Sequence, residues 1–389
     1  MKSLDRDVAP DVLRGFALWG IIVVNVAYFS TSVINGVSEE ALSGPADLAT
    51  AFIVLALASG KFYLLFSFLF GYSASYILNN KETGISRWLG RSAGLVALGL
   101  AHAALFWMGD ILFLYGLLAF VLLAFYQKSR QFIIRWVFGL YGVFSFSLVG
   151  LLVLSWAGER AGFSAQAVPA PALEEIVRHG TYLESIPARF ELWYTTGIFA
   201  ILAQGILTLI AFLLGMLASR YKFLDVSRMR PLTFRRLLGW GLGLGLPLQM
   251  VTAGVWVLNE VSPDYTDTLA LGAFIGSFLS APLLSAGYLG LIVWLVRSHP
   301  RITTGLGNMG RMALTTYLLQ SVGLSLIFSA WGAGLYQILP YWVAVLVALG
   351  LNLILAGLAG LWLARFHQGP MERALTWFSR RFVSGSYKT

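Results

Sequence analysis

Ten stretches of about twenty apolar residues, parted by short hydrophilic breaks, constrain this chain more than any motif within it. A helix needs roughly 20 such residues to cross about 30 Å of hydrocarbon. On that basis the spans fall near 13–33, 58–78, 89–107, 111–126, 131–157, 193–218, 235–258, 269–296, 311–329 and 340–364. With 58% hydrophobic and only 12% charged residues, the chain lacks the charge that a water-solvated surface of 389 residues requires. The expected fold is all-α: a polytopic bundle of about ten transmembrane helices, solvated by membrane lipids.

An even number of spans puts both termini on one side, and the basic residues say which. With the N-terminus in the cytoplasm, Lys81, Arg87 and Arg91, then Lys128, Arg130 and Arg135, then Arg220 to Arg236, then Arg297 and Arg301 all fall inside, as does a tail carrying Arg365, Arg373, Arg380, Arg381 and Lys388. The opposite loops hold Glu39, Glu40, Asp47, Glu159, Glu174, Glu175, Glu184, Glu260, Asp264 and Asp267, with Arg160, Arg178 and Arg189 as the clear bases. A net charge of +9 spread over such breaks reports orientation and forms no face for nucleic acid. The chain has no cysteine, which removes disulfides, thiolate nucleophiles and cysteine-ligated metals. The first apolar run follows Asp5, Asp7 and Asp11 and lacks a small-residue cleavage site, so it is expected to remain as a span and not to act as a signal peptide.

Residues 47–79 are apolar for 33 positions, about 50 Å as one helix, which overruns the bilayer. Ser59 and Gly60 are the natural break, leaving 47–58 as an interfacial or re-entrant piece. The outer loop near 158–192, with Pro169, Pro171 and Pro187, suits an amphipathic helix at the surface between Leu173 and Leu183. Residues 1–365 therefore read as one transmembrane domain and 366–389 as a cytoplasmic tail. Gly90 with Gly94, and Gly241, Gly243 and Gly245, allow close backbone approach, either inside the chain or between two copies in a homodimer.

Ionisable groups within the spans are the informative exceptions, each costing on the order of 2.5–3.5 kcal/mol at a helix centre. His102 lies near the outer end of the third span, and Asp110 and Tyr115 open the fourth after a turn too short for anything but antiparallel neighbours. Imidazole beside carboxylate suits general-base or nucleophilic work; the alternative is a histidine bonded to a carbonyl, with Asp110 capping the fourth helix. Asp11 and Arg14 stand three apart on the first helix, with Asn25 deeper, where the arginine either binds a phosphate or snorkels. Lys61 opens the second span at its outer end, placed to neutralise an anion or to reach headgroups. Arg311 marks the cytoplasmic entrance of the ninth span, which carries Thr315, Thr316, Tyr317, Gln320 and Ser321; these either join helices or line a wet cavity. His179, His299 and His367 sit in separate loops, so no metal site is expected, and no phosphate-binding loop or dinucleotide fingerprint is present.

DVLRGFALWGIIVVN, GKFYLLFSFLFG, GLAHAALFWMGDILFLYGLL, GNMGRMALTTYLLQS and FHQGPMERALTWF, in that order, resemble the successive motifs of the YeiB-like family of bacterial inner-membrane proteins. Thr316 stands where that family often has asparagine. The family is distantly similar to transmembrane acyltransferases such as heparan-alpha-glucosaminide N-acetyltransferase. That resemblance implies transfer of an acyl group from an acyl-coenzyme A donor to a lipid-linked or cell-envelope acceptor. Through it Asp11, Arg14 and Gly15 correspond to the DxxRG of those enzymes, and His102 and Asp110 are the candidates for the catalytic pair; with Asp11 and Arg14, the polar residues Asn25, Lys61, Tyr115, Arg311, Thr315, Tyr317 and Gln320 are expected around the substrates. Two other expectations from the residues are a transporter or lipid-handling protein, and a non-catalytic membrane scaffold.

Overall fold

A computed structural model describes residues 8–37, 41–163, 171–225, 231–301 and 303–384. Among them the secondary structure is helical: α1 (Val8–Ser30), α2 (Pro45–Leu57), α3 (Phe62–Leu78), α4 (Gly84–Leu105), α5 (Leu112–Leu123), α6 (Arg130–Arg160), α7 (Pro171–His179), α8 (Tyr182–Arg220), α9 (Pro231–Trp240), α10 (Leu246–Glu260), α11 (Asp267–Ser298), α12 (Thr304–Arg311), α13 (Ala313–Phe328), α14 (Tyr341–Arg365) and α15 (Pro370–Ser384). Seven helical stretches are long and apolar enough to cross a membrane, and the shorter apolar helices Leu112–Leu123, Gln204–Arg220 and Ala313–Phe328 fall at the fourth, sixth and ninth expected spans. Large apolar side chains such as Phe146 at 81% and Phe138 at 72% exposure cover α6, whose only buried residues are Ile133 and Phe144. Such a surface is stable against lipid and not against water, and helices are the spanning form that satisfies its backbone internally. The protein is a polytopic helical membrane protein.

Helix α1 forms the core with α3, α11 and α13, where Leu13, Leu65, Leu284 and Leu324 are almost fully buried. Its contact with α12 is backbone against backbone. A Cβ on Gly15 would lie 1.9 Å from the Leu306 carbonyl oxygen, and one on Gly310 would lie 1.7 Å from that of Asp11. Glycine at both positions is therefore a steric requirement, and it brings DVLRG and GNMGR into register. Gly90 and Gly94 serve α15 in the same way, since a Cβ there would meet Phe382 and Leu375. Gly241 and Gly245 approach Gly287 and Leu284 through a π-helical turn, Gly241–Gly245. Pro247 follows that turn and has no N–H to continue the regular ladder.

The break expected at Ser59 and Gly60 is present, with Gly60 at φ +80 between α2 and α3. Its depth corrects the expectation for Lys61. Helix α2 packs against α10 and α14 inside the bundle and does not lie at the interface. The following Phe62 ring occupies the space beside Gly20, about 18 Å along α1 from Val8. Lys61 is thus fully buried near mid-bundle, not at the outer rim. The break frees carbonyls, and the structure satisfies them: Lys61 Nζ donates to Leu55 O at 2.6 Å and the Tyr288 hydroxyl to Leu57 O at 2.7 Å.

On the outer side, α7 forms within the proline-containing loop and buries Leu173 and Val177 beside Tyr336. Helix α8 begins at Tyr182, earlier than the expected span, because Thr181 and Glu184 make a reciprocal capping box. The Thr181 backbone N–H, followed by its hydroxyl, holds the Glu184 carboxyl below its ordinary value. At the opposite, basic end α15 packs on α4 and α13.

Candidate functional site

Gly99 lets α5 lie directly on α4, because a Cβ there would sit 2.2 Å from the Phe113 nitrogen. The approach brings His102 Nδ1 to 2.7 Å from Asp110 Oδ2, with side-chain exposures of 1% and 0%. The other carboxylate oxygen, Oδ1, accepts the Phe113 N–H at 2.8 Å and so caps α5. Capping and orienting, alternatives in the sequence, are performed by one carboxylate. A carboxylate only accepts, so beside an ionised Asp110 a neutral imidazole carries its hydrogen on Nδ1 and its lone pair on Nε2. Nε2 is buried and has no hydrogen-bond partner among the described residues. Above the pair, Arg189 of α8 donates to the carbonyls of Ala104 at 3.2 Å and Phe106 at 3.4 Å, closing the outer side.

A cavity of about 1110 Å³ approaches the pair from the basic end. Asp11, Arg14, Arg91, Arg311 and Glu372 line its mouth, and Phe66, Tyr115, Ile111 and Tyr317 line its depth. Arg14 donates to Asp11 at 2.8 Å and to the Ser73 hydroxyl. Arg311 reaches the His367 carbonyl at 3.3 Å, while its Nε is buried without a partner among the described residues. At the deep end the Tyr317 hydroxyl accepts the Ile111 N–H at 3.4 Å, and the Tyr317 ring stands 5.4 Å from that of His102. His102 is therefore one aromatic ring behind the cavity wall. Tyr115 is fixed to Ser67 at 2.6 Å.

Glu372 of α15 caps α13. Its Oε1 accepts the N–H groups of Leu314 at 2.7 Å and Thr315 at 3.2 Å, and its Oε2 accepts the Thr315 hydroxyl at 2.6 Å. A carboxylate at a helix N-terminus satisfies orphan donors and meets the positive end of the dipole. Glu372→Ala is expected to cost about 1–3 kcal/mol, the penalty of leaving those donors unpaired. A lower unfolding temperature in detergent, with earlier proteolysis of residues 366–384, checks this.

Of the residues singled out in the sequence, Asp11, Arg14, Tyr115, Arg311 and Tyr317 share this cavity, and His102 with Asp110 lies behind it. Thr315 adjoins the mouth through Glu372. Gln320 is off the cavity wall, bonded to Leu18 O at 3.0 Å and Asn352 at 2.7 Å, so it joins α1, α13 and α14. Asn25 lies one turn beyond Ile21, also off the wall, and Lys61 belongs to the helix break. Sequence reasoning passed over Arg91, Ser73 and Glu372. Arg91 had been counted only as an orientation charge, though it stands one position after Gly90, whose packing draws α15 close. No group of three or more metal-ligating side chains occurs among the described residues.

Fold and cavity define a polytopic helical membrane protein with an enclosed polar centre reached from its basic face. Along almost its whole length the chain has known relatives. It is 30% identical to the Uncharacterized protein YxaH of Bacillus subtilis (strain 168), over 96% of this chain and 94% of that one. Identity to the Uncharacterized protein YeiB of Escherichia coli (strain K12) is 28%, over 95% of each chain. Identity to the Uncharacterized 39.9 kDa protein in amylase 3'region of Bacillus acidopullulyticus is 26%, over 98% of this chain and 96% of that one. Residues 218–382 match the family described as Protein of unknown function (DUF418). The chain belongs to this YeiB-like family of membrane proteins. No solved structure matches it.

Proposed function

We propose that the protein is an acyltransferase of the bacterial inner membrane, moving an acyl group from a coenzyme A thioester to a lipid-linked or cell-envelope acceptor. The observation that carries this reading is continuity: one cavity joins a mouth of three arginines to a tyrosine lying against a buried His–Asp pair. Phosphates of the donor match Arg14, Arg91 and Arg311, and the partnerless Nε of Arg311 is a donor ready for an anion. The thioester arm suits the deeper wall that Phe66, Ile111 and Tyr115 line. Once Tyr317 turns aside, His102 Nε2 removes the proton of the acceptor's hydroxyl or amine, whose freed lone pair forms the new bond to the thioester carbonyl carbon. The carbon–sulfur bond then breaks, and the imidazolium returns the proton to the departing thiolate. Asp110 holds the ring and stabilises the imidazolium.

Labelled acetyl-coenzyme A incubated with membranes containing the protein should leave label in the lipid or envelope fraction. Arg14→Ala and Arg91→Ala should each raise KM for the donor about tenfold, near 1.4 kcal/mol, with kcat little changed. Membranes that transfer no label from any short-chain donor, together with no donor binding to the purified protein, would sink the reading.

The helix broken at residues 58–61 around a buried lysine favours a second reading, transport, because interrupted helices mark many transporter sites. Solute flux in proteoliposomes without acyl donor, lost in Lys61→Met, would support it.

A further inference from the structure

On the far side of α3 from the polar cavity lies a second, apolar cavity of about 510 Å³, bounded by α3, α6, α8 and α11. Its walls are helix stripes: Leu64 to Phe68 on α3, Leu207 to Ala218 on α8, and Pro282 to Leu289 on α11, with Tyr221 just past the end of α8. Ser285 contributes no free polarity, because its hydroxyl is turned to the carbonyls of Lys61 and Ala281. The slot is roofed where α6 meets α11, with the Tyr141 hydroxyl bonded to Leu279 O at 2.7 Å and Phe144 buried beside it. Below that contact the two helices part, and Arg130 and Ile134 of α6 face Leu289 across the gap. Eleven residues of α6 separate Tyr141 from Arg130, about 16 Å of rise, which matches one leaflet's share of a hydrocarbon core about 30 Å thick.

The mouth is cationic. Among the described residues Arg130 is the one charged side chain lining the cavity; it is exposed, and its guanidinium lies 5.9 Å from the Tyr221 ring. It is also the first residue of α6, so the positive end of that helix faces the same place. Lys128 stands exposed nearby in the chain, Lys222 belongs to the wall of the polar cavity, and Arg220 is committed to the carbonyls of Phe125, Tyr126 and Lys128. We infer that this slot is a binding site for one anionic glycerophospholipid of the basic-face leaflet, its acyl chain under the Tyr141–Leu279 roof and its phosphate at Arg130. An anionic headgroup, and not a zwitterionic one, complements a mouth whose described lining residues include the Arg130 cation and no carboxylate. The site is separate from the acyl-transfer cavity, and its occupancy is measured without reference to that activity.

The full chain, delipidated in mild detergent, is titrated with phosphatidylglycerol and with phosphatidylcholine of the same acyl chains, and bound lipid is counted by native mass spectrometry. Phosphatidylglycerol should bind one per chain and about fivefold more tightly, the weight of about 1 kcal/mol for one cation at a membrane surface. Arg130→Ala should erase that preference and Arg130→Lys should keep it, while Ala286→Trp, which fills the slot, should abolish binding of both lipids. Equal binding of the two lipids, an unchanged preference in Arg130→Ala, or lipid retained by folded Ala286→Trp would each overturn the inference. If Ala286→Trp fails to insert, the exposed Arg130 pair of variants decides alone.

Discussion

His102→Ala is expected to lower acyl transfer by about two to four orders of magnitude, the usual weight of a positioned general base. The effect should fall on kcat, since the arginines proposed for the donor's phosphates lie at the far end of the cavity. Asp110→Asn is the sharper variant. Asparagine is nearly isosteric and can still accept the Phe113 N–H, so the cap of α5 survives. Its amide, however, donates toward Nδ1, which forces the ring hydrogen onto Nε2 and removes the lone pair that the reaction needs. A loss of similar size is expected with the melting temperature little changed, and the double variant should be scarcely worse than either single one, because the two act as a unit. Label transfer that survives in both single variants would take this pair out of the mechanism.

Gly15→Val is expected to prevent the native bundle from forming, a cost of about 4 kcal/mol or more. The added carbon would stand 1.9 Å from a backbone oxygen of α12, and a backbone cannot rotate away as a side chain can. Helices α1 and α12 would have to part, taking Arg14 away from Arg311 and opening the cavity mouth. Gly357→Ala on α14 is the control, because a Cβ there meets nothing within 4 Å and alanine favours helix over glycine by about 1 kcal/mol. Monodisperse yield and thermal unfolding in detergent separate the two; a folded Gly15→Val protein with normal stability would mean that this interface is not as close as described.

Hydrophobic run length made the ten spans legible, because the cost of burying charge in lipid leaves its mark at every break. The His102–Asp110 contact was legible for a different reason: the turn between α4 and α5 leaves the two residues little choice of neighbour. Lys61 was misplaced in depth because a run of 33 apolar residues shows that a helix must break and not how far it descends first. Arg91 and Glu372 were missed because their partners lie on helices far away in sequence. Arg91 comes within electrostatic reach of Glu372 only after α15 has packed against Gly90 and Gly94. Thr315 and Gln320 looked alike as polar residues of one span, yet one meets the tail helix at the mouth and the other an asparagine on α14. Composition within a span carries no information about which neighbour each face meets.

The wall of the polar cavity joins Asp11, near the start of the chain, to Glu372, which follows every span. A ribosome releases the first long before the second. Until α15 is made, the arginines of α1, α4 and α12 therefore stand beside an α13 whose first turn lacks its cap, and the chamber acquires its final shape only as α15 folds back.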